Sequence, residues 1–114
     1  MLLIALDFDG TVVKHKDKFT FDLDYELFEN CKEVLERLNK KGVKFILNTA
    51  RTDIRRLLAI LYIKVHKLPI KSQIFNSKPC ADVYIDDKNL ECEKIDWLDI
   101  EKKILKLLDN KERK

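Results

Sequence analysis

Short hydrophobic runs alternate along the chain with longer segments in which apolar residues recur every three or four positions. The runs at residues 2–6, 43–48, 70–75 and 83–85 are each bounded by polar or turn-forming residues, which is typical of strands. The first run is apolar at every position. A fully apolar run of this length predicts a strand covered on both faces, as in a parallel sheet flanked by helices.

The segments between these runs predict three amphipathic helices. Asp22 or Asp24 can cap the first, with Gly42 just beyond its end. Its apolar positions are Leu27, Phe28, Cys31, Val34, Leu35 and Leu38. The second helix begins at Thr52 or Asp53, with an expected core face of Ile54, Leu57, Leu58, Leu61 and Val65. Asp96 can cap the third, whose inward residues are Trp97, Ile100, Ile104, Leu107 and Leu108.

The alternation of strands and helices predicts an α/β fold. We expect a three-layer α/β/α, Rossmann-like domain with a mostly parallel central sheet. Residues 12–22 hold two apolar clusters around a charged stretch, which predicts a short hairpin or flap after the first strand. We therefore expect one domain over residues 1–114, with a small basic tail at about 110–114.

Composition and charge add few constraints. Lys and Arg outnumber Asp and Glu by 23 to 20, so the net charge of +3 gives little reason to expect a nucleic-acid partner. Three cysteines without close pairing predict reduced thiols in a cytoplasmic protein, not a zinc site. The opening apolar run is too short for a signal peptide or a membrane span, so we expect no membrane association.

Polar residues capable of chemistry follow the predicted strands at the points where they end. They are Asp7 with Asp9, then Thr49, Lys78, and Asp86 with Asp87. Because the carboxyl ends of parallel strands meet at one edge of a sheet, these residues are expected to converge there. Clustered carboxylates repel one another unless a hard cation binds among them, so the pattern predicts Mg²⁺.

A divalent cation, a lysine and a threonine around a carboxylate would suit a phosphoryl group. One carboxylate can attack phosphorus to form an aspartyl-phosphate, and a second acid can protonate the leaving oxygen and later activate water. Asp7 and Asp9, separated by one residue, leave a strand on the same side and suit this division of labour.

The segment Asp7-Phe8-Asp9-Gly10-Thr11 resembles the first motif of the haloacid dehalogenase (HAD) superfamily. Thr49, Lys78 and Asp86-Asp87 are similar to its second, third and fourth motifs, in the same order. The resemblance implies Asp7 as nucleophile, Asp9 as general acid/base and Thr49 as phosphate ligand. It implies Lys78 as the cation that stabilises the nucleophile and the phosphate. It also implies that Mg²⁺ is held by the Asp7 side chain, the Asp9 backbone carbonyl and Asp86, with Asp87 assisting.

The intervals between these motifs are filled by the flap, helices and strands, which leaves no room for a cap domain. The chain thus resembles small capless members of the superfamily. The stretch 48–51 is similar to that of members related to capsule or sugar-phosphate metabolism, so Ala50 and Arg51 join Gly10 and Thr11 as candidate substrate-binding residues. Arg51 could bind a substrate phosphate or carboxylate, but an arginine at a helix start is more often a solvated or structural charge. His15 on the flap could assist the leaving group or bind substrate, but a flap histidine is more often merely exposed.

A capless site implies a phosphorylated small molecule or the exposed end of a polymer as substrate, or a homo-oligomer in which a neighbouring subunit closes the site. The alternatives to a phosphatase are a signalling domain of the receiver type and a non-catalytic phosphate-binding domain. Receivers place the acidic pair first and the lysine last, whereas here Lys78 comes before the adjacent pair Asp86-Asp87. The complete acid set argues against a non-catalytic domain.

Overall fold

The computed structural model describes residues 2–14, 23, 25–49, 53–72, 81–85 and 96–112. Within these ranges the strands are β1 (Leu2–Leu6), β2 (Val43–Leu47), β3 (Ile70–Lys71) and β4 (Val83–Ile85). The helices are α1 (Cys31–Lys40), α2 (Asp53–Val65) and α3 (Trp97–Glu112). The predicted α/β class is therefore confirmed, with the elements in the expected order.

The four strands form one parallel sheet in the order β3-β2-β1-β4. β1 lies inside the sheet, with Leu6 aligned with Leu47 of β2 on one side and with Ile85 of β4 on the other. Ile4, Ala5 and Leu6 are completely buried, which explains why β1 is apolar without alternation. The mostly parallel central sheet of the prediction is confirmed.

The first helix starts later than its spacing predicts. α1 begins at Cys31, after Asn30 in a left-handed conformation with φ of 66°. That conformation interrupts a right-handed helix, so the predicted start at Asp22 or Asp24 is wrong. The other end agrees with the prediction, because Gly42 follows the helix with φ of +94° and donates to the Asn39 carbonyl at 3.1 Å.

Leu27 and Phe28 belong to a small antiparallel pairing instead of a helix. Lys14 N–H donates to the Glu26 carbonyl at 2.8 Å, and Phe28 N–H donates to the Val12 carbonyl at 3.1 Å. This pairing closes the base of the predicted flap at residues 12–14. The remaining flap residues, 15–22, with His15 and Asp22, lie outside the described residues, as does Asp24.

Helix α2 buries a different face from the expected one. Leu58, Ala59, Tyr62 and Ile63 are buried. The other four predicted core residues, Ile54, Leu57, Leu61 and Val65, are between 40% and 62% exposed. The prediction is wrong because α2 is apolar around most of its girth, so periodicity alone does not determine which stripe faces the core.

Helix α3 begins as predicted. The Asp96 side chain accepts the N–H of Leu98 at 3.1 Å, which is the expected N-cap. Trp97, Ile100 and Ile104 are buried, but Leu107 is 42% exposed and is not a core residue. The helix continues to Glu112, into the predicted tail. It packs against α1, where Arg37 forms an ion pair with Glu101 at 2.8 Å.

The sequence predicts reduced cysteines and no membrane association. Burial raises the pKa of the Cys31 thiol, which therefore stays protonated. Cys80 and Cys92 lie outside the described residues. None of the helices in the described ranges is long and apolar enough to cross a membrane.

Candidate functional site

Asp7 and Asp9 directly follow the carboxyl end of β1. Asp7 N–H donates to the Ile85 carbonyl at 3.0 Å, so the end of β4 lies beside it. On the other side, Asn48 N–H donates to the Leu6 carbonyl at 2.7 Å, which places the end of β2 there. Thr49 follows Asn48 directly in the chain. Three strand ends are thus held at one sheet edge, as predicted, and Asp7, Asp9 and Thr49 are all half-buried there.

The turn that follows β1 is closed in part by its own backbone hydrogen bonds. The Phe8 carbonyl accepts the N–H groups of Val12 and Val13 at 3.1 Å each, and that of Thr11 at 3.4 Å. Gly10 N–H donates to the Val13 carbonyl at 2.8 Å. Gly10 has φ of +79°, which residues with a Cβ rarely adopt, so the turn requires glycine here. The result is a closed turn that carries Asp9.

Phe8 anchors this turn in the core between the two carboxylates. Its ring makes edge-to-face contacts with Tyr25, at 5.4 Å between centroids, and with Tyr62, at 5.8 Å. The hydroxyl of Tyr62 donates to the Tyr25 carbonyl at 3.1 Å. Next to this buried ring, one Asp7 carboxylate oxygen accepts the Phe8 N–H at 2.8 Å. The backbone therefore helps to orient the Asp7 carboxylate.

Thr11 is fully buried and is held from a distant part of the chain. Its carbonyl accepts the indole N–H of Trp97, the first residue of α3, at 3.0 Å. Its hydroxyl has no hydrogen-bond partner in the described part of the protein. The sequence predicts Trp97 as a core residue but does not connect it with the site. A buried indole N–H needs an acceptor, yet the sequence does not say which one.

Several predicted site residues cannot be placed. Lys78, Ala50, Arg51, Asp86, Asp87 and His15 lie outside the described residues. Ala50 directly follows Thr49 in the chain, and Asp86 directly follows Ile85 at the end of β4. The described part of the site thus consists of Asp7, Asp9, Gly10, Thr11 and Thr49, and the roles predicted for all of these residues stay predictions.

The described residues offer part of a metal site. Asp7 and Asp9 supply carboxylate oxygens, the donors that a hard cation such as Mg²⁺ prefers. Among the described residues, no group of three or more Asp, Glu, His or Cys side chains could hold a metal ion. The donors present suit Mg²⁺ in kind, and the two further acids of the prediction fall at positions 86 and 87.

Comparisons with known proteins show the fold but no family. No protein-family model matches the sequence, and a search of curated proteins finds no match. Among solved structures, the chain is similar to a conserved protein from Bacteroides thetaiotaomicron, with 29% identity and a TM-score of 0.71, over 99% of this chain and 92% of that one. The two therefore share an overall fold.

A second solved structure is the D,D-heptose 1,7-bisphosphate phosphatase from B. bronchiseptica, complexed with magnesium and phosphate. The chain is 21% identical to it, over 69% of this chain and 52% of that one, with a TM-score of 0.48. The chain thus spans about half of that enzyme.

Proposed function

We propose that the protein is a Mg²⁺-dependent phosphohydrolase of the HAD superfamily that cleaves a phosphomonoester. The observation that carries the proposal is the position of Asp7 and Asp9. They follow the interior strand of a parallel sheet, and the ends of β2 and β4 are hydrogen-bonded beside them. Ligands of such sheets bind beyond the carboxyl ends of the strands. This position supports a role for the two aspartates in binding and converting a substrate.

The proposed reaction has two steps, in which Asp7 carries the phosphoryl group and Asp9 transfers the proton. The Asp7 carboxylate attacks phosphorus, the ester P–O bond breaks, and the leaving oxygen takes a proton from Asp9. Asp9, now a carboxylate, removes a proton from water, which attacks the aspartyl-phosphate. The second step releases inorganic phosphate and restores Asp7 as a carboxylate and Asp9 as an acid.

The other predicted residues would stabilise the negative charge of the phosphoryl group and of Asp7. Bound Mg²⁺ would neutralise part of the negative charge on the phosphoryl oxygens. The Asp7 side chain, the Asp9 backbone carbonyl, Asp86 and Asp87 would hold it. Thr49 would donate a hydrogen bond to the phosphate, and Lys78 would balance charge on Asp7 and the phosphate.

The substrate is a phosphorylated small molecule or the exposed end of a polymer. This proposal follows from the capless pattern of the sequence. Gly10, Thr11, Ala50 and Arg51 are the proposed residues near the substrate. A homo-oligomer and a cytoplasmic location stay predictions.

Phosphate release from p-nitrophenyl phosphate tests the proposal. We expect the native chain to release phosphate only when Mg²⁺ is added. Asp7→Asn and Asp9→Asn should each lower kcat by at least about a hundredfold, because each removes a group that bonds or transfers a proton to the reacting atoms.

Glu36→Gln is the matched control, since it removes an exposed acid of α1 that lies on a different element from the site. It should leave the rate unchanged, and circular dichroism should show all three variants folded. If the native chain releases no phosphate, and Asp7 takes up no phosphoryl group from acetyl phosphate with Mg²⁺, the protein is a non-catalytic domain and the proposal is wrong.

A further inference from the structure

We propose that Trp97 is a positioning residue of this site: its indole N–H fixes the Thr11 carbonyl and thereby the turn that carries Asp9 and Gly10. The inference rests on the proposed function for its effect on catalysis. It assigns helix α3, which contributes none of the predicted catalytic residues, a role in holding the site.

The indole hydrogen bond is the shorter of the two backbone hydrogen bonds that Thr11 makes among the described residues. Within its own turn, Thr11 N–H reaches the Phe8 carbonyl at 3.4 Å, which is long for such a bond. Its buried hydroxyl makes no hydrogen bond in the described part of the protein. By comparison, the Trp97 indole nitrogen lies 3.0 Å from the Thr11 carbonyl oxygen.

The Trp97 indole is held in place by helix α3. Trp97 is the first residue of α3 and is 1% exposed. The helix start is capped by Asp96, and its next turns are buried through Ile100 and Ile104. Farther along the helix, Glu101 pairs with Arg37 of α1. The indole is therefore fixed by cap and packing, and it can hold the turn in place.

Removing the donor would affect the site through the turn. The Thr11 carbonyl would be left buried with no hydrogen-bond donor among the described residues, which favours movement of the turn toward another donor or water. Asp9 lies two residues before Thr11 in the same turn. Because small displacements of reacting groups slow catalysis strongly, we expect kcat to fall by about tenfold or more. The KM for p-nitrophenyl phosphate should change by a smaller factor than kcat, because Gly10 and Thr11 of the same turn are proposed to lie near the substrate but form no bond to the reacting atoms.

The chain contains a single tryptophan, so a tryptophan analogue supplied during expression replaces Trp97 alone. β-(3-Benzothienyl)alanine keeps the shape of the indole but lacks the N–H. The matched control is 5-fluorotryptophan, which keeps the N–H. Both chains are compared with the native chain in Mg²⁺-dependent hydrolysis of p-nitrophenyl phosphate and in amide hydrogen exchange of Gly10 and Val12.

We expect the benzothienyl chain to show a kcat at least tenfold lower and a KM changed by a smaller factor, and the fluorotryptophan chain to behave like the native one. A benzothienyl chain with native kcat, or an equal loss in both chains, would overturn the proposal. If the native chain has no phosphatase activity, the proposed function fails and hydrogen exchange decides. Tenfold faster exchange at Gly10 and Val12 in the benzothienyl chain alone supports positioning, and unchanged exchange overturns it.

Discussion

Phe8 connects the candidate carboxylates to the core through a cluster of three aromatic rings. Its ring contacts Tyr25 and Tyr62, and the two tyrosines contact each other with centroids 5.4 Å apart. The cluster joins β1's end to α2 and to the segment before α1. Phe8 has no proposed chemical role itself, but it helps to fix Asp7 and Asp9, which have one.

The hydroxyl of Tyr62 should stabilise this cluster measurably. Tyr62→Phe removes the donor to the buried Tyr25 carbonyl and leaves that carbonyl without this partner. We expect the free energy of unfolding to fall by about 1–3 kcal/mol in urea titrations. The reason is that the variant loses a hydrogen bond made inside the core to the Tyr25 carbonyl.

Tyr84→Phe is the control for that measurement. The Tyr84 hydroxyl accepts the Ala81 N–H at 3.2 Å, and Tyr84 is only half-buried, so water can replace the lost bond. Its loss should be smaller than that of Tyr62→Phe. Equal losses in the two variants would contradict the stabilising role assigned to the Tyr62 hydroxyl.

At the residue scale, the sequence was informative where chemistry is local. Asp7, Asp9 and Gly10 lie within four consecutive residues in a recognisable pattern, and the turn that follows β1 closes within a few residues. The bond from Trp97 to Thr11 joins opposite ends of the described chain. Such a contact depends on how the helices pack, which no local pattern encodes.

Among the elements, α1 and α3 are joined by a two-point ion pair. Arg37 Nε and Nη2 each donate to a different oxygen of Glu101, both at 2.8 Å. The hydrogen bonds from Arg37 lower the pKa of the Glu101 carboxyl, although partial burial opposes the shift. The pair therefore favours the ionised carboxylate of the folded protein.

This pair predicts a pH-dependent contribution to stability. Because the folded pKa of Glu101 is lowered, its contribution is present above the ordinary pKa of the carboxyl and is lost as pH falls through the folded value. Glu101→Gln should lower the Tm by a few degrees at most at pH 7, and the difference from the native chain should vanish in strong acid.

Glu36→Gln again serves as the control, since Glu36 lies 4.0 Å from Lys32 and is largely exposed. Its Tm should follow that of the native chain at every pH. A Glu101→Gln difference that persists unchanged into strong acid would show that the effect comes from packing and not from the charge.

At the element scale, the sequence predicted which elements exist and where most of them begin, but not where α1 starts or which face α2 buries. β1, β4 and α3 begin where their patterns predict. The helical spacing of Leu27 and Phe28 continues into Cys31, so it conceals the left-handed Asn30 that separates them. In α2, Tyr62 and Ala59 face the core in place of Leu57 and Leu61, because an all-round apolar helix permits either choice.

At the scale of the whole molecule, the parallel sheet determines where a ligand can bind. β1 lies between β2 and β4, so the carboxyl ends of these three parallel strands lie at one edge. Alternating strands and helices were enough to predict this arrangement. The full set of residues around the ligand stays a prediction, since Lys78, Asp86 and Asp87 lie outside the described residues.

The most direct test of the central claim is to trap a phosphoryl group on Asp7. Asp9→Asn should slow hydrolysis of the aspartyl-phosphate, while p-nitrophenolate still leaves without needing a proton. The folded variant is mixed with p-nitrophenyl phosphate and Mg²⁺, reduced with borohydride, and mapped by peptide mass spectrometry. We predict homoserine at position 7, lost without Mg²⁺ and absent when Asp7→Asn is added. Unmodified Asp7 in a chain that hydrolyses the ester would contradict the claim.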